Sequence, residues 1–238
     1  MQERVKHIMG NKPVILVCPH SADDTNTDII AEEATKILNC YAVINKGFER
    51  ADTVDVNKDI ADCNRIDHVK QDVVYEEYLK PIIKYIKKIS LPHSKNSFDI
   101  NPAYIFHIHG CGNHVHKEAK EQIGVIIGYG LGSKKDSMTC EIWHKNLFIN
   151  LWRSMFMTGE AYEGKGGGRY SGRDSNNMNQ YFRKHENIDS VYSMQLEFPF
   201  SMRNNEKAAK ATGTTLAGVI AAFLSRQYYD KKVGSKFI

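Results

Sequence analysis

One short stretch constrains the fold of this chain more than any other: the apolar run Val14-Ile15-Leu16-Val17-Cys18. A proline precedes the run, and Pro19-His20-Ser21 follows it, with aspartates in the next few residues. A continuous apolar run of this length between turn-forming residues is typical of a buried strand. The run therefore predicts a central strand that delivers a histidine and acidic side chains to its carboxyl end, where open α/β sheets build their sites.

The segments that follow predict a βαβ unit. Apolar residues recur at helical spacing after Thr27, the expected N-cap, and a second apolar run occupies residues 40–45. A crossover of this kind is right-handed and makes the two strands parallel. Further strands are predicted at 103–109, 123–129 and 190–198, and helices at 73–89 with a kink at Pro81, 138–157, 178–184 and 208–229. We expect one α/β domain over residues 1–238, with a mixed, largely parallel central sheet flanked by helices.

Composition narrows the class of protein. A chain of 238 residues with 42% hydrophobic content can bury one sizeable core, and its 32 Lys+Arg nearly balance its 28 Asp+Glu. No basic run concentrates the net charge, so no nucleic-acid partner is predicted. The 5 cysteines include no CxxC pair, which predicts reduced thiols. The sequence shows neither a signal peptide nor an apolar run of the roughly 18 residues that a membrane span needs, so we expect a soluble, cytoplasmic protein.

Two later strands also end in polar side chains that share a face. Side chains two apart on a strand point the same way, so His107 lies with His109, and Gln195 lies with Glu197. Catalytic zinc sites combine three ligands from His and Asp/Glu with one open position. His20, an aspartate just after it and His109 fit that pattern. The sequence therefore predicts a site for one divalent ion, Zn²⁺ being the expected metal.

Other side chains are candidates for catalysis and substrate binding. Glu197 is the predicted general base, and its alternative role is a structural ion pair with Arg203. Arg65 has the planar fork that binds a carboxylate through two hydrogen bonds, so it would select substrates that carry one. The glycine-rich segment 163–173 predicts a loop whose arginines, Arg169 among them, attract anions above a substrate. The alternative for this segment is an ordinary surface loop.

The order of these motifs resembles the N-formylglutamate amidohydrolases, which are relatives of the zinc carboxypeptidases. The most specific matches are Asp62-Cys63-Asn64-Arg65, to that family's Asp-x-Asn-Arg, and Gln195-Leu196-Glu197, to its catalytic-glutamate strand. The resemblance implies a phosphorylase/hydrolase-like, zinc carboxypeptidase-like fold, with zinc on His20 and His109 and with Glu197 as the base. It also implies that Asn64 and Arg65 bind the substrate and that Gly168 lies in a loop near it.

The acidic metal ligand stays open at this point. Asp23 falls where the carboxypeptidase His-x-x-Glu motif places its acid, Asp28 aligns with the acid that opens the following helix in the amidohydrolases, and Asp24 is a third candidate. His107 stands where the family usually has an aspartate two residues before its third histidine. The carboxylate that orients that histidine is therefore undetermined as well.

Together these patterns predict a zinc-dependent hydrolase that cleaves an amide or N-acyl bond of a carboxylate-bearing small molecule, such as an N-formyl or N-acyl amino acid. One alternative is a catalytically silent binding protein of the same fold, and another is a peptidase or amidase that acts on short or cell-wall peptides.

A metal site within one loop is a weaker interpretation, because it leaves His20 and Glu197 without a role. Its ligands would be His107, His109, His114 and His116. The segment GYGLGS at 128–133 lacks the third glycine of a dinucleotide fingerprint, so no nucleotide cofactor is predicted.

Overall fold

The computed structural model describes residues 3–90, 102–113, 123–130, 138–155, 159–164, 170–184 and 191–234. Within these residues, 7 strands form one sheet in the order β1-β3-β2-β4-β7-β5-β6. The strands are β1 (Val5–Ile8), β2 (Val14–Cys18), β3 (Tyr41–Asn45), β4 (Ala103–Cys111), β5 (Ile123–Gly128), β6 (Glu160–Glu163) and β7 (Val191–Pro199). The helices are α1 (Thr27–Leu38), α2 (Ile66–Val69), α3 (Asp72–Val74), α4 (Lys80–Ser90), α5 (Ile142–Met155), α6 (Met178–Lys184) and α7 (Glu206–Gly234).

The middle of the sheet is parallel. Strands β3, β2, β4 and β7 run in the same direction, as the βαβ pattern predicts. The edges are mixed, since β1 is antiparallel to β3, β5 is antiparallel to β7, and β6 is parallel to β5. The prediction of a mixed, largely parallel sheet flanked by helices is confirmed.

Alternate residues of the central strands enter two different cores. On β2, Val14 and Leu16 pack with residues of α1, α5 and α7. Ile15 and Val17 pack on the opposite face with residues of α4 and α6. Helices thus cover both faces of the sheet, which explains why this strand is a continuous apolar run rather than an alternating one.

The helix α7 carries much of the first core. Its segment Glu206–Arg226 is long and apolar enough to cross a membrane by length and composition, although no such run was expected from the sequence. Leu216, Ile220 and Phe223 of this segment are fully buried in the core that also holds residues of α1. Packing against α1 and β4 therefore accounts for the buried part of this helix, which is 44% of its apolar window.

Pro81 changes the geometry of the helical region just before it. The predicted helix 73–89 is observed as α3, a π-helical turn at Tyr75–Leu79 and then α4. Proline has no N–H, so the carbonyl four residues earlier, that of Glu77, lacks its usual α-helical donor. The ring Nε2 of His7 lies 2.8 Å from this carbonyl oxygen. The hydrogen bond between His7 and this carbonyl therefore connects the edge strand β1 to the π-helical turn.

Candidate metal centre

The carboxyl ends of β2, β4 and β7 border one cavity of about 540 Å³. His109 and Glu197 are register partners on the neighbouring strands β4 and β7. The side chains predicted at three distant points of the chain, near residues 20, 109 and 197, therefore meet at one place. The cavity is lined by His20, Asp24, Arg50, Asn64, His109, Gly110, Cys111, Gly112, Tyr170, Asn177, Gln195, Glu197, Phe200 and Arg203.

The Nδ1 atoms of His20 and His109 point towards each other. Both rings are buried, and their Nδ1 atoms lie 3.2 Å apart. The Nε2 atom of His20 lies 2.8 Å from Oδ1 of Asp62, so this nitrogen carries the proton in the neutral ring and Nδ1 presents a lone pair. Two nitrogens held by one tetrahedral zinc, each about 2.0–2.1 Å from it, stand about 3.3 Å apart. The spacing of the two Nδ1 atoms therefore fits a shared metal ion.

Asp24 brings a carboxylate to the two histidines. Its Oδ2 lies 3.9 Å from Nδ1 of His20 and accepts a hydrogen bond from the backbone N–H of Gly110 at 3.0 Å. One ligand atom each from His20, Asp24 and His109 lies within 4.8 Å of the others. Two imidazoles and one carboxylate form a donor set that catalytic zinc sites use. The residues present therefore fit the metal that the sequence predicts.

The turn after β2 explains why Asp24 reaches the histidines. The carbonyl of His20 accepts hydrogen bonds from the backbone N–H groups of both Asp23 and Asp24, so the chain folds back over His20. The Asp23 carboxylate accepts a hydrogen bond from the backbone N–H of Arg50, in the loop after β3. Asp28 lies at the start of α1 and forms an ion pair with Lys46. Asp23 and Asp28, both predicted as metal ligands, thus lie outside the ligand group that the described residues form.

Asp62 supplies a carboxylate behind His20, whereas Nε2 of His109, the histidine whose orienting carboxylate the sequence left undetermined, has no hydrogen-bond partner in the described part of the chain. Burial opposes the ionisation of Asp62, but the hydrogen bond and charge of His20 and the backbone N–H of Asn64 lower the pKa of the Asp62 carboxyl. A carboxylate in this position fixes the ring orientation of a metal-binding histidine and raises its basicity. His107, by contrast, is fully buried, and neither ring nitrogen has a hydrogen-bond partner in the described part of the chain. Burial lowers the pKa of His107 to about 3, so its ring is neutral.

Glu197 is held in the cavity by a chain of amide groups. Its side chain is buried, and Nε2 of Gln195 donates to its Oε1 at 2.6 Å. Asn177 in turn donates from Nδ2 to Oε1 of Gln195 at 3.3 Å. The predicted common face of Gln195 and Glu197 is confirmed. Arg203, considered above as an ion-pair partner of Glu197, donates to three backbone carbonyls.

A second depression, of about 880 Å³, shares Asn64 and Asn177 with the cavity; we call it the groove. Arg65 lines the groove, and its Nε and Nη2 donate to the two carboxylate oxygens of Asp67. Two other predicted substrate-binding residues, Gly168 and Arg169, lie outside the described residues, as do His114 and His116 of the weaker metal interpretation. Asp62, Asn64 and Arg65 of the motif thus line the groove, and Asn64 also lines the cavity.

The cavity also contains residues that no sequence motif indicated. Arg50 lines it from the loop after β3, and its guanidinium forms no ion pair within the described residues. Cys111 lines it at the end of β4, where burial and the charge of Glu197 raise the pKa of the thiol to about 12. All 5 cysteines are buried and free. Arg50 therefore adds a positive charge to the cavity, and the thiol of Cys111 is an uncharged part of its lining.

No protein-family model matches the sequence, and no curated protein matches it. Three solved structures resemble this chain over nearly its whole length. A gene product of Agrobacterium tumefaciens has a TM-score of 0.61 at 11% identity, with 95% of this chain and 96% of that chain covered. An N-formylglutamate amidohydrolase from Ralstonia eutropha has a TM-score of 0.59 at 11% identity, covering 94% and 99%. A metallo-carboxypeptidase from Burkholderia cenocepacia has a TM-score of 0.54 at 12% identity, covering 93% and 61%.

At these identities the likeness concerns the fold. Two of the three structures are named as hydrolases, an amidohydrolase and a carboxypeptidase, and both families are those that the sequence motifs resemble. The resemblance is confirmed at this level. The chain has the mixed, mostly parallel sheet fold that N-formylglutamate amidohydrolases share with zinc carboxypeptidase-like proteins.

Proposed function

We propose that this protein is a zinc-dependent hydrolase that cleaves an amide or N-acyl bond of a small substrate bearing a carboxylate. One observation carries the proposal: the Nδ1 atoms of His20 and His109 face each other at 3.2 Å, with the Asp24 carboxylate beside them. Glu197 lies in the same cavity. A fold that amidohydrolases and carboxypeptidases use supports this assignment.

His20, Asp24 and His109 are the residues that hold the metal in this proposal. A zinc ion bound there supplies a Lewis acid that polarises the scissile carbonyl and lowers the pKa of a bound water. Histidine binds metals through a neutral ring. Burial, and to a lesser degree the charge of Arg50, lowers the pKa of His109 well below its usual range. His109 is therefore neutral at physiological pH, as a metal ligand must be.

Glu197 takes the proton of the attacking water and passes it to the leaving nitrogen. Its carboxylate is oriented for this task by the amide of Gln195, which donates to Oε1. Arg50 contributes a positive charge to the same cavity, where negative charge develops on the carbonyl oxygen during hydrolysis. The chain thus provides a base and a cation at one place, next to the proposed metal ligands.

The groove supports a substrate that extends beyond the bond that is cleaved. Its lining consists of polar side chains and a glycine, so it suits a hydrophilic ligand. The lining carries charges of both signs, from Arg65, Arg173, Asp62 and Asp174. A short peptide would occupy both depressions, whereas an N-acyl amino acid needs only the cavity and the residues around Asn64. The groove therefore favours a peptidase acting on short peptides as the second candidate function.

The variant Glu197→Gln tests the proposal directly. We expect the purified wild-type chain to carry about one zinc, and the variant to retain that zinc while its hydrolysis rate falls by about 10²–10⁴-fold. Metal content by atomic absorption and release of free amine are the measurements. Glu160→Gln, which alters an ion pair with Arg153 on the surface, is the matched control and should keep full activity. Retained hydrolysis in Glu197→Gln would remove this residue from the mechanism.

A substrate panel separates the candidate functions. N-acyl amino acids and short peptides with free terminal carboxylates are compared with added zinc, and kcat/KM is measured for each. Higher kcat/KM for peptides favours the peptidase. Wild-type protein without zinc, and without any loss of structure in chelator, favours a catalytically silent binding protein.

A further inference from the structure

We propose that Arg203 is a positioning residue that holds the loop after β2 and the ends of β4 and β7 together at the metal centre, so that the site is assembled before a metal binds. The inference rests on the proposed metal site. Arg203 follows β7 at the end of a short turn, Phe200–Met202, and is only 6% exposed although it lines the cavity. A buried arginine at this place needs partners for its N–H groups.

The guanidinium donates to the carbonyl of Thr25 from Nη1 at 2.8 Å, to that of Phe198 from Nε at 3.1 Å, and to that of Cys111 from Nη2 at 3.3 Å. Each acceptor lies one or two residues after a side chain of the site. Thr25 follows Asp24, Phe198 follows Glu197, and Cys111 lies two residues after His109. One planar group therefore connects the loop after β2 with the ends of β7 and β4.

The surroundings of the guanidinium are shaped to receive it. A Cβ atom at Gly110 would lie 2.3 Å from Cζ of Arg203, so only glycine leaves room for the group there. The same Gly110 donates its N–H to the Asp24 carboxylate. Asn26 donates from Nδ2 to the carbonyl of Arg203 at 2.7 Å, and the Phe200 ring lies 5.6 Å from the guanidinium carbon. Both the side chain and the backbone of Arg203 thus form hydrogen bonds with segments next to the site residues.

The shape of the side chain matters here more than its charge. The hydrogen-bond partners of the guanidinium in the described part of the chain are backbone carbonyls, which belong to three separate segments. Arginine presents its donors in a fixed planar fork, whereas lysine has one compact ammonium on a flexible stem. A lysine would keep the positive charge but could not hold three carbonyls in the same arrangement.

The first experiment measures zinc affinity by competition with a chromogenic chelator, using the full chain. We expect Arg203→Lys to weaken zinc binding by about 10–100-fold, the usual cost of losing support behind a metal ligand. In Arg203→Ala, millimolar guanidinium ion should restore part of the affinity, because it can occupy the vacated position. Arg153→Lys, a surface arginine paired with Glu160, is the control and should bind zinc as the wild type does.

The second experiment uses metal-free protein and amide hydrogen exchange. The N–H of Gly110 bonds to the Asp24 carboxylate, and the N–H of Asp24 bonds to the carbonyl of His20. We expect both amides to exchange at least tenfold faster in Arg203→Lys, while amides in the middle of β3 remain protected. If Arg203→Lys does not fold, Asn26→Gly keeps the left-handed backbone of residue 26 and removes only its bond to Arg203. This variant should change both readouts in the same direction by a smaller factor.

The two readouts separate this inference from the proposed function. If wild-type protein binds zinc, a wild-type value of either zinc affinity or exchange in the Arg203 variants overturns the inference. If wild-type protein binds no zinc, the proposed function fails and exchange alone decides: faster exchange supports the role of Arg203, and unchanged exchange overturns it. A raised KM with unchanged zinc affinity would assign Arg203 to substrate binding and would also overturn the positioning role.

Discussion

At the end of β2 the chain offers aspartates at positions 23, 24 and 28, and the turn geometry distinguishes them. Asp24→Asn should weaken zinc binding at least about tenfold, because a neutral amide replaces a charged ligand. Asparagine can still accept the N–H of Gly110 through its side-chain oxygen, so the turn itself should persist. Asp23→Asn and Asp28→Asn are the matched variants and should bind zinc within about twofold of the wild type. Chelator competition on the three proteins measures this, and a larger loss in either matched variant would identify a different acidic ligand.

Single residues differ in how far the sequence could predict them. His109 and Glu197 were predicted because the two-residue period of a strand fixes the face on which each side chain lies. Asp24 was only one of three candidates, because a spacing of three or four residues after His20 depends on backbone hydrogen bonds in the turn. Arg50 was not predicted, since it comes from a loop without periodicity. Local patterns specify direction within an element, whereas loops place side chains through contacts that are distant in sequence.

At the level of elements, the loop 170–177 joins the groove to Glu197. Asn176 donates from Nδ2 to the Asp67 carboxylate at 2.7 Å, and its backbone carbonyl accepts the N–H of Ile66 at 2.7 Å. These bonds pin the loop to the start of α2. The next residue, Asn177, begins the amide chain that leads to Glu197. The wall of the groove and the orientation of the base therefore depend on one short segment.

Removing the Asn176 side chain, which donates to the Asp67 carboxylate and accepts the backbone N–H of Asp67, should affect long substrates selectively. Asn176→Ala is expected to raise KM for short peptides about three- to tenfold, because loosening this wall of the groove should cost peptide binding roughly 0.7–1.4 kcal/mol. KM for an N-acyl amino acid that occupies only the cavity should stay within about twofold of the wild type. Steady-state kinetics on the two substrate classes measure this. Asn150→Ala, at an exposed position on α5, is the control, and equal effects on both substrate classes would contradict a separate role for the groove.

The strands that position the site were the easiest elements to predict. β2, β4 and β7 are long or continuous apolar runs, and their observed bounds lie within two residues of the predicted ones. The edge strands β1 and β6 have 4 residues each and include charged side chains, so no periodicity distinguished them from loops. They exist because neighbouring strands offer free backbone groups, which is a property of the assembled sheet.

For the whole molecule, the sequence predicted the layers but not the order of the strands. Continuous apolar runs joined by helices require a sheet covered on both faces, and the two cores on either side of β2 have this arrangement. β7 lies between β4 and β5 and is antiparallel to β5. No local sequence pattern predicts this position of β7. This position places Glu197 next to His109. The proposed metal ligands and the base are adjacent because of long-range pairing that only the folded sheet contains.

The stability of the whole molecule should depend on pH through buried neutral histidines, of which His144 lies away from the proposed metal site. Its Nδ1 accepts the backbone N–H of Glu141 at 3.2 Å, and its ring centroid lies 4.2 Å from that of Tyr192. Burial lowers the pKa of His144 to about 4, whereas an unfolded histidine has a pKa of about 6.5. Between these values the unfolded chain binds the proton and the folded chain does not. The stabilising contribution is therefore complete above about pH 6.5 and declines as the pH falls towards 4.

The free energy of unfolding should fall through this window, with His144 contributing at most about 1.4 kcal/mol per pH unit. His144→Asn removes the titrating group and keeps an acceptor for the Glu141 N–H, so its stability should depend less steeply on pH. Urea unfolding of both proteins from pH 4.5 to 7.5 gives the two slopes, and His107, which stays buried in both, contributes equally to each. Taking the difference between the slopes isolates His144 from every histidine that the two proteins share. Identical slopes would mean that the folded protein protonates His144 as readily as the unfolded chain does, which the packing of its ring in the first core opposes.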